Sequence, residues 1–135
     1  MTLRKIAGRY LVIFLLSGCY PEMAEVEAKL DKISTLKQSA ERLNEYLAIL
    51  ERIRSPDDAA KEKVVKYVVQ RLATTYVKTE DPTIPDAIDH MELQGAFGNH
   101  MCSFYGVTDN IPAMKKRNEA SLSARTARIR CNGVV

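Results

Sequence analysis

Apolar residues recur between residues 22 and 54 at Val26, Leu30, Ile33, Leu36, Ala40, Leu43, Leu47, Leu50 and Ile53. The spacing is close to the 3.6-residue period of a helix that buries one stripe. Neither Gly nor Pro interrupts it, so the pattern predicts one long helix over 22–54. Lys37 and Asn44 fall where a strict heptad demands apolar residues. That favours a helix packed in a bundle over a free-standing coiled coil.

Ser55-Pro56-Asp57-Asp58 reads as a restart. Ser55 is expected to cap, Pro56 to take the first helical position, and the aspartates to favour the amino end. A second helix is then expected to about Lys78, with Val64, Val65, Val68, Leu72 and Tyr76 facing the core. A short connection makes the first two helices antiparallel neighbours. Leu43, Leu47 and Leu50 should pack on Val64, Val68 and Leu72, with Leu50 nearer Val64 than Leu72. Glu80 to Pro85 is a breaker. A short helix follows from about Pro85 to Gln94, with Ile88, Met91 and Leu93 inward and Gly95 ending it. Residues 95–110, punctuated by Gly95, Gly98 and Gly106, read as a loop or one short strand. Asn110-Ile111-Pro112 opens a final helix to about Arg130, with a thin apolar face of Ile111, Met114, Leu122 and Ile129, helped by alanines. The expected fold class is all-α: a small bundle of three long helices and one short one.

The amino terminus has a different pattern. Arg4, Lys5 and Arg9 precede an apolar run from Tyr10 to Leu16, and Ser17, Gly18 and Cys19 follow. A basic start, a short apolar run and small residues before a cleavage point make a secretory signal peptide. Seven apolar residues are too few for a membrane span, which needs roughly 18 or more. Leu16-Ser17-Gly18-Cys19 resembles the lipobox of bacterial lipoproteins. The resemblance implies that Cys19 receives a diacylglyceryl group, that the signal is cut before it, and that the new amino terminus is acylated, for example with palmitate. It covers only the first 19 residues. It divides the chain into a signal, 1–18, and a single lipid-anchored domain, 19–135. In enteric bacteria an aspartate after the cysteine resembles an inner-membrane retention signal. Tyr20 stands there instead, which implies the periplasmic face of the outer membrane. A Gram-positive source would put the protein on the outer face of its one membrane.

Export changes how charge and cysteines are read. The chain carries a net charge of +3, and Arg4, Lys5 and Arg9 account for all of it. The mature chain is neutral overall, so nucleic acid is not an expected partner. Cys102 and Cys131 remain after Cys19. An even pair in an oxidising compartment reads as a disulfide, with two free thiols or half a metal site as the alternatives. Closing a loop of this length contributes roughly 3.5 kcal/mol on a chain-entropy account.

Charge is distributed unevenly. Residues 79–110 hold Glu80, Asp81, Asp86, Asp89, Glu92 and Asp109 and no Lys or Arg. Residues 111–135 hold Lys115, Lys116, Arg117, Arg125, Arg128 and Arg130 against Glu119 alone. A Cys102–Cys131 bond would bring these segments together, so mutual neutralisation is the expected use. A basic face for an acidic partner, anionic lipid or cell-wall polymer is the rival.

Catalytic and metal motifs are weak. His90-Met91-Glu92 lacks the P-C-x-x-C that a zinc deaminase also needs. Asp86, Asp89, His90 and His100 are more simply solvated or capping residues than metal ligands, so no metal and no cofactor beyond the covalent lipid is expected. No G-x-S-x-G elbow, P-loop or H-E-x-x-H occurs. Cys102 beside His100 as a nucleophile competes with the disulfide.

The expected function is therefore non-enzymatic. A small, helical, lipid-anchored, disulfide-bonded domain resembles the architecture of pilotin-type lipoproteins, which hold a peptide between helices and escort an envelope protein. That resemblance is one of architecture. It implies an envelope protein as partner and the membrane as anchor. A phage- or plasmid-type exclusion or immunity lipoprotein, and a helical spacer reaching roughly 50 Å, are the alternatives. Phe97, Phe104 and Tyr105 are the candidate partner-binding residues, since aromatics in a Gly-punctuated segment can anchor a partner. The competing expectation is that they close the end of the bundle.

Overall fold

The computed structural model describes residues 20–132. Cys19, the lipobox and the signal lie outside the described residues. Among the described residues the fold is all-helical and has no strand. The elements are α1 (Met23–Ile33), α2 (Ser39–Arg52), α3 (Ala59–Thr79), α4 (Thr83–Leu93), a 3₁₀ turn (Gly98–Met101), α5 (Cys102–Thr108), α6 (Pro112–Ala120) and α7 (Leu122–Cys131). Among the described residues there are seven α-helices rather than three long and one short: α3 and α4 stand where the second and the short helix were expected, the first and last are each split in two, and α5 is additional. None is long and apolar enough to cross a membrane.

The expected helix over 22–54 is two helices. Ser34 and Thr35 donate their hydroxyls to the Asp31 and Lys32 carbonyls, and the chain leaves the helix there. Ser and Thr compete in this way with helical bonding. Arg42 then reaches back: Nη1 donates to the Leu36 carbonyl and Nε to Asp81 at 2.8 Å. The break is thus tied to the turn between α3 and α4. Ion pairs Glu25–Arg52 and Lys29–Glu45 run in opposite order along α1 and α2, so the two form an antiparallel hairpin. The segment doubles back, and the roughly 50 Å reach of a single helix is not available to it.

This redirection changes the packing. α2 packs chiefly on α4, while α1 lies against α2 and α3. Leu50 is buried, as are Val64, Val68 and Leu72, but Leu43 and Leu47 are only half-buried. Tyr46 and Ile49, outside the simple stripe, are buried in place of Leu43 and Leu47, and Ile53 is buried as the stripe expects. The expected α2–α3 seam is therefore not the main contact.

Asp58, not Ser55, caps α3. Its carboxylate accepts from the Lys61 N–H at 2.8 Å, and Pro56 lies in the turn before the helix. Glu80 ends α3 in a left-handed conformation, φ +57°. Asp81 then accepts from both the N–H and the hydroxyl of Thr83 and starts α4. Burial alone would raise the Asp81 carboxyl. The two bonds from Thr83 and the one from Arg42 outweigh it and hold the group below its usual range. Gly95 ends α4 as the pattern predicts. At φ +65° it donates to the Glu92 carbonyl, and Ala96 donates to that of Met91, the two bonds of a Schellman cap. Leu93, expected inward, is 70% exposed.

Residues 98–108 are helical rather than loop or strand. The expected last helix is again two, because Ser121 adopts an extended conformation and its hydroxyl accepts from the Ala124 N–H to cap α7. Ala124 and Ala127 face the core, whereas Leu122 and Ile129 are exposed. Small residues let α7 approach α4 and α5 closely, and the large ones point out.

Candidate functional site

Cys102 opens α5 and Cys131 ends α7, and the two are joined, with Cα atoms 5.6 Å apart. Beside the bond, Arg130 donates to both carboxylate oxygens of Glu92 at 3.0 Å and to the Asn99 side chain. Glu92 is nearly buried in this bidentate pair, the strong form of Arg–carboxylate contact.

The acidic segment continues to pair with the basic one. Arg117 meets Asp89 at 2.8 Å and Asp86 at 3.2 Å, and Arg128 meets Asp109 at 3.1 Å. Asp89 also accepts from the Tyr105 and Ser121 hydroxyls. One carboxylate thereby joins α4, α5, α6 and the α6–α7 corner. Burial, reinforced by the Asp89 charge, pushes the Tyr105 phenol well above its ordinary value. Asn118 is buried between Thr108 and Asp109 and donates to both. Of the two uses open to the charge pattern, mutual neutralisation is the one these contacts support.

The same contacts occupy the groups with potential chemistry. Asp86 and Asp89 share Arg117, and His90 bonds Gln94. Among the described residues no three His, Cys, Asp or Glu side chains gather in a way that could hold a metal. Cys102 is in the disulfide, so it is not a free thiol beside His100.

The aromatic candidates are in the core. Phe97 is 3% exposed, Tyr105 1% and Phe104 0%. Phe104 stacks on Tyr76, with ring centroids 6.0 Å apart, and meets the edge of Tyr105 at 5.5 Å. These rings are packed into the core and leave almost no surface free. Phe104 and Tyr105 lie in α5, whose inward face carries them, and Phe97 stands just before the 3₁₀ turn.

No protein-family model, curated protein or solved structure matches the chain. Two features stand out. A cleft of about 270 Å³ separates α1 from α2, with Ile33 and Leu36 among its lining and Lys29, Lys32, Glu41 and Glu45 around them. It is smaller than an ordinary ligand pocket, and the Lys29–Glu45 pair spans it.

The second feature is α7. Leu122 is 64% and Ile129 78% exposed. Seven residues apart, they share one face about 10 Å long, with Arg125 and Thr126 between them. Arg125, Lys115 and Lys116 are exposed and remain outside the ion pairs that hold the other C-terminal cations. Leu122 and Ile129, expected inward, point out, and the alanines at 124 and 127, expected only to help that face, mark the side of close approach.

Proposed function

We propose that the protein is an exported lipoprotein, anchored through Cys19 in the cell envelope, that holds a protein partner there and does no chemistry of its own. The Cys102–Cys131 bond carries this reading. A disulfide belongs to an oxidising compartment, the destination the amino-terminal pattern independently implies. The occupied carboxylates support a binding rather than a catalytic role, since Asp86, Asp89, Glu92 and Asp109 already neutralise arginines. The partner surface is the outward face of α7. Two large aliphatic side chains around an arginine suit the apolar stripe of an acidic amphipathic segment.

The test is crosslinking from intact cells with wild type and the Leu122→Ser/Ile129→Ser pair. Both positions are exposed, so the melting temperature should move by no more than about what surface changes allow, 0.5 kcal/mol each. Capture of the wild-type partner should fall at least about tenfold, the result of losing roughly 1.4 kcal/mol of contact. Undiminished capture by the doubly substituted protein would remove α7 as the site.

A further inference from the structure

The first described residue is built into the fold. Tyr20 donates its hydroxyl to the Ile53 carbonyl, 33 residues away, and the Lys61 ammonium lies 5.4 Å from the centre of its ring. Pro21 is buried and α1 begins at Met23. Burial, followed by the charges of Asp58 and Asp57, raises the phenol to about 12, so it keeps its proton and its bond at any ordinary pH. Cys19 is one residue away, about 3.8 Å along the chain.

Resting on the lipid-anchor reading, we propose that this protein has no tether, and that acylation at Cys19 seats the end of the bundle that holds Tyr20 directly on the bilayer surface. Three helix ends meet there: the start of α1, the end of α2 and the start of α3. A groove of about 400 Å³ beside the anchor is lined by the apolar side chains of Pro21, Met23, Ala60 and Val64 beside Tyr20, with Lys61 and Lys63 balanced by Glu22 and Asp58. Apolar surface rimmed by charges of both signs, with Lys61 paired to Asp57, suits the boundary between acyl chains and headgroups at an acylated terminus. The occupant is fixed by reach. Chains attached one residue from a clamped side chain cannot be far from that groove. The domain would then stand in one orientation, with its α3 carboxyl end held away from the membrane.

Lysine labelling tests this. The full, processed protein is placed in phosphatidylethanolamine–phosphatidylglycerol vesicles and treated with a membrane-impermeant amine reagent. Its partner is the same protein with ten Gly/Ser residues inserted between Cys19 and Tyr20. Lys78 lies on the same helix as Lys61, about 25 Å further along, and is the internal control. The insertion should raise labelling of Lys61 and Lys63 by roughly fivefold or more, as expected for side chains released from the headgroup layer. Lys78 should not change, and the melting curve should stay in place. Equal labelling with and without the insertion, on protein whose mass shows an acylated Cys19, would overturn the seating alone. Protein whose mass shows no acyl chain would overturn the anchor reading and the seating with it.

Discussion

Phe104→Ala is expected to destabilise the protein by about 3–5 kcal/mol, the usual cost of emptying a phenylalanine site in a packed core. The ring has no exposed surface, lies nearly parallel to Tyr76 and meets the edge of Tyr105. Contacts of that kind add roughly 0.5–1.5 kcal/mol beyond area burial. The loss should spread, because Tyr105 bonds Asp89, and Asp89 organises the contacts of α6 and of the α6–α7 corner. For a domain of this size the melting temperature should fall by roughly 10–25 °C. Partner capture should decline only as the folded fraction declines. An unchanged melting curve with capture abolished would show that Phe104 is a contact residue after all, and would move the binding site from α7 to α5.

Replacing Cys102 and Cys131 together by serine should cost about 3.5 kcal/mol on a chain-entropy account, or roughly 10–20 °C in melting temperature. The bond closes a loop spanning 29 residues that contains α5, α6 and α7. α7 has little else in the core, since Ser123, Ala124 and Ala127 are its buried residues. Its polar attachments among the described residues include the Glu92–Arg130 and Asp109–Arg128 pairs and the Arg130–Asn99 bond. The destabilised protein should therefore lose amide protection first in α7, before α3 opens. A change below about 1 kcal/mol, far under what closing such a loop supplies, would show that the bond is not formed in the folded protein. Hydrogen exchange and thermal melting in the presence and absence of reductant make the comparison.

Much of the fold was legible where a residue type permits one backbone outcome. Gly95 stops α4, Pro82 stands at the turn after α3, and the pair of cysteines joins the segments its position requires. The opposed charges of residues 79–110 and 111–135 also told where the chain folds back on itself. The breaks at 34–38 and at Ser121 were not legible, because neither contains Gly or Pro. Hydroxyls that take backbone carbonyls or cap an N–H make them, and Arg42 completes the first by reaching Leu36 and Asp81. Such bonds depend on tertiary neighbours that a periodic pattern does not contain. The same limit explains the surface. A thin helical stripe does not say whether alanines or larger residues face in, and on α7 the alanines do. Phe97, Phe104 and Tyr105 have the chemistry of partner contacts, but Phe104 and Tyr105 lie in α5 and face inward, and Phe97, just before the 3₁₀ turn, is buried with them.

The anchor is the claim on which location, orientation and function all depend, and intact-mass analysis of protein extracted from its own membranes tests it most directly. The processed chain should begin at Cys19 and carry the added mass of a diacylglyceryl group, with or without a further acyl chain on its amino group. Cys19→Ser should abolish both the processing and the added mass. A mature chain that begins elsewhere, or begins at Cys19 with no added lipid, would contradict the account.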